Sequence, residues 1–226
     1  MPAMSIKDKM PRLGVVCSAG GSVLEELCRL QENLPFFLTV VIDRKCAAEE
    51  VCLKFGVEYA RIEEKDRAIF SSSAAEHFRK MGGVDAVLLF FTRLVGEDLF
   101  DSFPTLNFHP SLLPAFKGFK PLEQAVRANA KVIGATLHIV DESIDGGPIL
   151  VQVSNSVNSY DMAYLGKLSF LQKTLLAYFL VDLLTAGDID LTTRGAEIKR
   201  AGLTIKNRMI METFNRIQEE NDLYVI

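Results

Sequence analysis

Short apolar runs alternate with longer amphipathic stretches through the first hundred residues. Leu13 to Cys17 (LGVVC), Phe36 to Ile42 and Ala86 to Phe91 (AVLLFF) are nearly continuous apolar runs, and Val57 to Ala60 is a shorter one. Runs of this length, without polar alternation, suit strands buried on both faces of a parallel sheet. Between them the spacing changes to helical. Ser22 followed by Glu25 fits a capping box, after which Val23, Leu24, Leu27 and Cys28 form one stripe. Ala47 to Phe55 reads as a helix stopped at Gly56, and Ala74 to Met81 as a helix stopped at Gly82-Gly83. The alternation predicts an α/β fold: a Rossmann-like, mostly parallel sheet with right-handed crossovers and helices on both faces.

The second half continues less regularly. Leu122 to Asn129 is expected to be helical, and Val132 to Val140 and Ile149 to Val157 to form strands of a mixed sheet edge, joined by an acidic turn. Met162 to Leu184 reads as one long helix with Leu165, Leu168, Leu171, Leu175, Leu176, Phe179 and Leu183 as its apolar positions, ending at Gly187. A last amphipathic stretch, Met209 to Gln218, carries Ile210, Phe214 and Ile217 on one face. That face packs on its own domain or on a second copy in a homodimer. The expected organisation is a catalytic domain over residues 12–187 and a C-terminal helical appendage over 188–226, with residues 1–11 as a tail.

Composition narrows the class. A chain of 226 residues with 49% hydrophobic content can fill one core. A net charge of −4 argues against nucleic acid as partner. The four cysteines contain no CxxC pair and are joined by only three histidines, so no metal site is expected and the thiols read as reduced. The N-terminus has no apolar core of a signal peptide, and the run Leu175 to Leu184 is interrupted by Asp182 and short for a bilayer. The expectation is a cytoplasmic protein without membrane or nucleic-acid partners.

Candidate chemistry concentrates in two segments. In LNFHPSLLP, Leu106 to Pro114, Asn107 and His109 face the same side of a strand, and Pro110 ends that strand at the histidine. In GATLHIVDESIDGG, Gly134 to Gly147, a strand runs into a turn holding Asp145. An imidazole, an amide and a carboxylate together suit acyl transfer to an amine. The imidazole can donate to a developing oxyanion and to the leaving nitrogen, the amide can share that oxygen, and the acid stabilises the imidazolium. The reading of His109 as an ordinary hydrogen-bonded residue beside a turn stands next to it. His138 reads as a structural or supporting residue, His77 as solvated on a polar helix face, and Lys117 and Lys120 as loop lysines able to meet an anion. The Ser18–Ser22 loop, between a strand and a helix start, offers free N–H groups to an anion; there is no GxGxxG, so a dinucleotide is not expected.

LNFHPSLLP followed by GATLHIVDESIDGGPIL resembles the paired signature of the folate-dependent formyltransferases, with the glycinamide ribonucleotide enzymes closest in size. The resemblance covers most of residues 13–187. It implies that the family's catalytic Asn, His and Asp fall on Asn107, His109 and Asp145, and that the donor is 10-formyltetrahydrofolate. The pterin-contacting segments fall on Thr92, Arg93, Leu94 and Val95 and on Val140, Asp141 and Glu142; a folate-associated arginine falls on Arg67 within KDRAIF. The substrate-phosphate loop falls on Gly20, Gly21 and Ser22, with Val23 where the family has Asn. Lys173 stands where the purine enzymes place a glutamate, and Phe119-Lys120-Pro121-Leu122 replaces a histidine motif. The glycine usual two residues before the position of Thr92 is also absent. The implied activity is formyl transfer to the primary amine of a small metabolite. Glycinamide ribonucleotide is the best-known acceptor; an amino sugar or another specialised amine, and a catalytically silent folate-binding homologue, are the alternatives.

Overall fold

The computed structural model describes residues 10–18, 20–202 and 204–225. Most of the expected tail, and Ala19 of the glycine loop, therefore lie outside the described residues. Seven strands form one sheet in the order β3-β2-β1-β4-β5-β6-β7. These are β1 (Arg12–Cys17), β2 (Phe37–Ile42), β3 (Glu58–Arg61), β4 (Ala86–Phe90), β5 (Thr105–His109), β6 (Val132–Ile139) and β7 (Ile149–Ser156). β1 to β5 pair in parallel, whereas β6 is antiparallel to both of its neighbours, which makes the predicted mixed edge.

The doubly buried strands divide their side chains between two cores. Leu13, Val15 and Cys17 face α1 (Ser22–Gln31), α2 (Ala47–Phe55), α6 (Met162–Ala186) and α7 (Arg208–Asn221). Val16, Val41, Val87 and Leu89 face α3 (Arg67–Lys80) and α4 (Glu97–Phe100). The remaining elements are α5 (Pro121–Arg127) and a separate hairpin, β8 (Ile189–Thr192) with β9 (Gly195–Ile198). The interior packing of α6 explains its composition. By length and hydropathy it passes for a membrane span, yet 72% of its most apolar window is buried inside the fold. α7 buries Ile210, Phe214 and Ile217 in the same core as α6, and Phe214 meets the Tyr178 ring edge-on at 6.3 Å.

Several expectations are corrected. α1 has no capping box: Gly21 is its N-cap in the left-handed region, no side chain caps it, and Glu25 bonds Arg29 and Lys54 instead. α3 begins two turns before Ala74, because the Asp66 carboxylate caps it by accepting from the backbone N–H of Ala68 (2.8 Å) and Ile69 (2.9 Å). Its stripe of Phe70, Ala74 and Phe78 is broken in sequence by three serines, one of which, Ser71, is buried and accepts from Gly96 N–H at 2.7 Å. His77 is not solvated. It is half-buried, with Nε2 2.9 Å from Thr39 Oγ1 on β2.

Burial lowers the pKa of His77 below its ordinary 6.5, and burial likewise lowers that of His138. Both rings are neutral in the folded state near neutrality, and unfolding lets each take up a proton below about pH 6.5. Folded pKa values below the unfolded ones mean stability that is held above about pH 6.5 and lost as pH falls through the folded values. Melting temperatures taken between pH 7.5 and 5 should therefore drop more steeply for the native chain than for His77→Gln. Equal slopes would remove His77 from this account.

Candidate active site

In an open parallel sheet ligands bind beyond the carboxyl ends of the strands, where the strand order reverses. Here β1 lies between β2 and β4, and the loops after β1 and β4 separate at that point. Ser18 Oγ holds them together, 2.9 Å from both the hydroxyl and the backbone N–H of Thr92. A cleft of about 870 Å³ opens there, and the residues assigned to catalysis, folate and acceptor lie on its wall, whereas Lys117 does not line it.

At the centre of the cleft β5 delivers Asn107 and His109 on the same side, as strand alternation requires. The turn after β6 folds back over them and brings in Asp145, whose backbone is left-handed (φ 49). Aspartate tolerates that conformation better than most residues, because its short polar side chain can bond locally. Asp145 Oδ2 lies 3.3 Å from His109 Nδ1 and accepts the Gly118 N–H at 2.8 Å. Its Oδ1 is 3.4 Å from Asn107 Nδ2 and 3.7 Å from His138 Nε2. His109 Nε2 lies 2.9 Å from the carbonyl oxygen of Phe116. Both partners of the His109 ring are acceptors only, so the ring satisfies both contacts when each nitrogen carries a proton.

His138 has the opposite arrangement. Its Nδ1 faces the carbonyl of Ile139 at 2.9 Å, which leaves Nε2 as an acceptor for Asn107 Nδ2 at 3.2 Å. Burial pushes its pKa down, consistent with a neutral ring. His138 therefore orients Asn107, in keeping with the supporting role expected of it.

Two ends of the cleft differ in chemistry. On one side Leu94 and Ile144 present exposed apolar surface, with Arg67 exposed at the first position of α3. Arg93, also on this wall, has its guanidinium committed to the backbone carbonyls of Glu64 (2.8 Å) and Lys65 (2.7 Å) and to Asp43 (3.4 Å), over Phe70 and Phe91. Val95 is buried in the sheet core, and the Asp141 carboxylate accepts the Ser143 N–H at 2.8 Å, shaping the acidic turn that carries Glu142. On the other side α1 starts at the cleft. Gly21 is left-handed (φ 70), and a Cβ there would meet the Cα of Ala48 at 3.0 Å, so the close approach of α1 to α2 requires glycine. Gly20 and Ser22 flank it, and Lys173 reaches the same end from α6. Burial lowers the Lys173 pKa below its ordinary 10.5; among the described residues the Cys17 thiol is the ionisable group opposing that shift. Lys120 pairs with Glu123 at 2.9 Å at the head of α5.

No motif marks the backbone of Phe116 and Gly118 as touching His109 and Asp145. Their segment, PAFKGFKP, carries only a glycine as signal, and Gly118 does take a left-handed conformation (φ 79).

Residues 22–165 match the formyl transferase family. Over 161 residues the chain is 33% identical to phosphoribosylglycinamide formyltransferase of Bacillus subtilis, covering 67% of this chain and 83% of that protein. Its fold superposes on glycinamide ribonucleotide transformylase 1 from Symbiobacterium toebii with a TM-score of 0.76 at 29% identity, covering 84% of this chain and 95% of that one. Formyltetrahydrofolate deformylase of Escherichia coli is 36% identical over 105 residues, which cover 41% of this chain and 38% of that enzyme. A match over more than half of its length, joined to a shared fold, means that this chain belongs to the formyl transferase family.

Proposed function

We propose that the chain transfers a formyl group from 10-formyltetrahydrofolate to the primary amine of glycinamide ribonucleotide. The observation that carries this reading is the meeting of His109, Asp145 and Asn107 within one cleft, with His109 Nδ1 3.3 Å from the Asp145 carboxylate. At about 870 Å³ the cleft lies in the range that holds a cofactor-sized molecule. Exposed Leu94 and Ile144 supply apolar wall for a pterin beside the strand-end backbone of Thr92, Arg93 and Val95 and the turn of Val140, Asp141 and Glu142, with Arg67 at the rim.

The amine nitrogen forms a bond to the formyl carbon, and the bond from that carbon to the folate nitrogen then breaks. With the formyl group taking the place of the Phe116 carbonyl at Nε2, His109 stabilises the oxygen on which charge develops and passes a proton to the departing nitrogen, while Nδ1 stays on Asp145. Asn107 shares that oxygen, since its 3.4 Å contact with Asp145 is long and yields readily. Asp145 holds His109 and takes up the proton released by the amine through water. The uncapped start of α1 at Gly20, Gly21 and Ser22, with Lys173 facing it, suits the phosphate of the acceptor.

Purified protein supplied with 10-formyltetrahydrofolate should release tetrahydrofolate only when glycinamide ribonucleotide is added. Release without any amine would instead indicate hydrolysis, and release only with an amino sugar would move the acceptor. A charge-assisted contact is worth about 1.5–3 kcal/mol, so Lys173→Met should raise the acceptor KM by roughly 10- to 100-fold with a smaller change in kcat. In the native chain that KM should rise as pH climbs through the lowered Lys173 pKa, and the rise should vanish in Lys173→Met. An unchanged acceptor KM in the variant would detach Lys173 from the acceptor.

A further inference from the structure

The two backbone groups touching His109 and Asp145 come from a loop with left-handed residues at Phe116 (φ 54), Gly118 (φ 79) and Lys120 (φ 57). One side chain pins that loop. Gln124, on α5, donates from Nε2 to the carbonyl oxygens of Lys117 (3.0 Å) and Phe119 (2.9 Å), on either side of Gly118. The carbonyl of Lys117 and the N–H of Gly118 belong to the same planar trans peptide unit and therefore point in opposite directions. Holding that carbonyl toward α5 aims the N–H at the Asp145 carboxylate, which it reaches at 2.8 Å. Without the hold, the Lys117–Gly118 peptide is free to turn over, because glycine tolerates both hands of backbone.

We infer that Gln124 is a positioning residue for the reaction: by fixing the Lys117–Gly118 peptide it sets the Asp145 carboxylate against His109. It touches neither His109 nor Asp145 and acts only through the loop. The inference rests on the formyl-transfer reading for its kinetic arm, and on the amide hydrogen bond alone for its spectroscopic arm.

The test compares Gln124→Leu, which removes the donor, and Gln124→Glu, which keeps the shape but offers the carbonyls an acceptor. Both should lower kcat about 10- to 100-fold, the scale of a small misplacement of catalytic groups, with KM for folate and acceptor within about threefold. Their pH–rate profiles should shift relative to the native one, since the Asp145–His109 pair has lost a fixed donor. A merely structural role would leave the profile in place. Exchange of the Gly118 amide, followed by NMR, should accelerate at least about tenfold in both variants, whatever the acceptor proves to be. Unchanged Gly118 exchange would overturn the inference, even if no amine were ever turned over. So would native kcat and a native profile in Gln124→Glu. Faster exchange in a protein that formylates nothing would leave the hold standing and reject the functional reading alone.

Discussion

Replacing His109 with alanine should lower kcat by roughly two to four orders of magnitude, the range for loss of a general acid. The expectation follows from position. His109 ends β5 at the cleft, is only 4% exposed, and has one nitrogen on Asp145 and the other 2.9 Å from the Phe116 carbonyl oxygen. In the proposed reaction it acts where charge builds on the formyl oxygen during amine attack and where the folate nitrogen accepts a proton as it leaves, in the transition states and not in the bound substrates. Consequently kcat and kcat/KM should fall together while KM for the folate stays within a few-fold. Truncation also leaves the Phe116 carbonyl and the Asp145 carboxylate short of a donor, so some loss of melting temperature should accompany it. Turnover surviving within a few-fold in a folded His109→Ala protein would mean that another group carries the proton.

The meeting of the candidate residues was legible because strand geometry is simple. Alternation put Asn107 and His109 on one side, and Pro110 stopped the strand there, as β5 confirms. The parallel strands were legible for a related reason: burial on both faces removes polar alternation from Leu13–Cys17 and Ala86–Phe90 and leaves an unmistakable apolar run. What stayed hidden depends on groups without a sequence signature. The Phe116 carbonyl and Gly118 N–H are backbone atoms that any residue would supply, and their placement follows from left-handed turns and from Gln124, not from a motif. Arg93 shows the converse. The family resemblance places Arg93 beside the folate, and it lines the cleft, but its guanidinium is engaged by the carbonyls of Glu64 and Lys65, a partnership across the chain that no local motif announces. The start of α3 was obscured by three serines in its apolar stripe, and the β8–β9 hairpin by strands only four residues long.

Asp182 looked from the sequence like an interruption in an apolar helix; the structure makes it the anchor of the C-terminal segment. It is 2% exposed on α6, and its carboxylate binds the Arg200 guanidinium and accepts the backbone N–H groups of Lys206 and Asn207, each at 3.0 Å. Asn207 in turn caps α7 by accepting from Met209 and Ile210 N–H. Asp182→Ala therefore removes the buried partner of the Arg200 guanidinium and frees the N-cap of the helix that packs on α6. Breaking a buried pair costs about 3–5 kcal/mol, and the lower end applies because Asp188 still holds Arg200 at 2.8 Å beside exposed Lys206. In a chain of this size each kcal/mol moves the melting temperature by about 2–4 °C, so a fall of roughly 6–12 °C is expected. The control is Asp190→Ala, which removes a geometrically good pair with Lys199 (2.7 Å) on the solvent side of the β8–β9 hairpin. Water screens that pair, and its loss should shift melting by no more than about 2 °C. If the two variants melted alike, burial would not be what distinguishes the two carboxylates, and the anchoring of α7 through Asp182 would have to be abandoned.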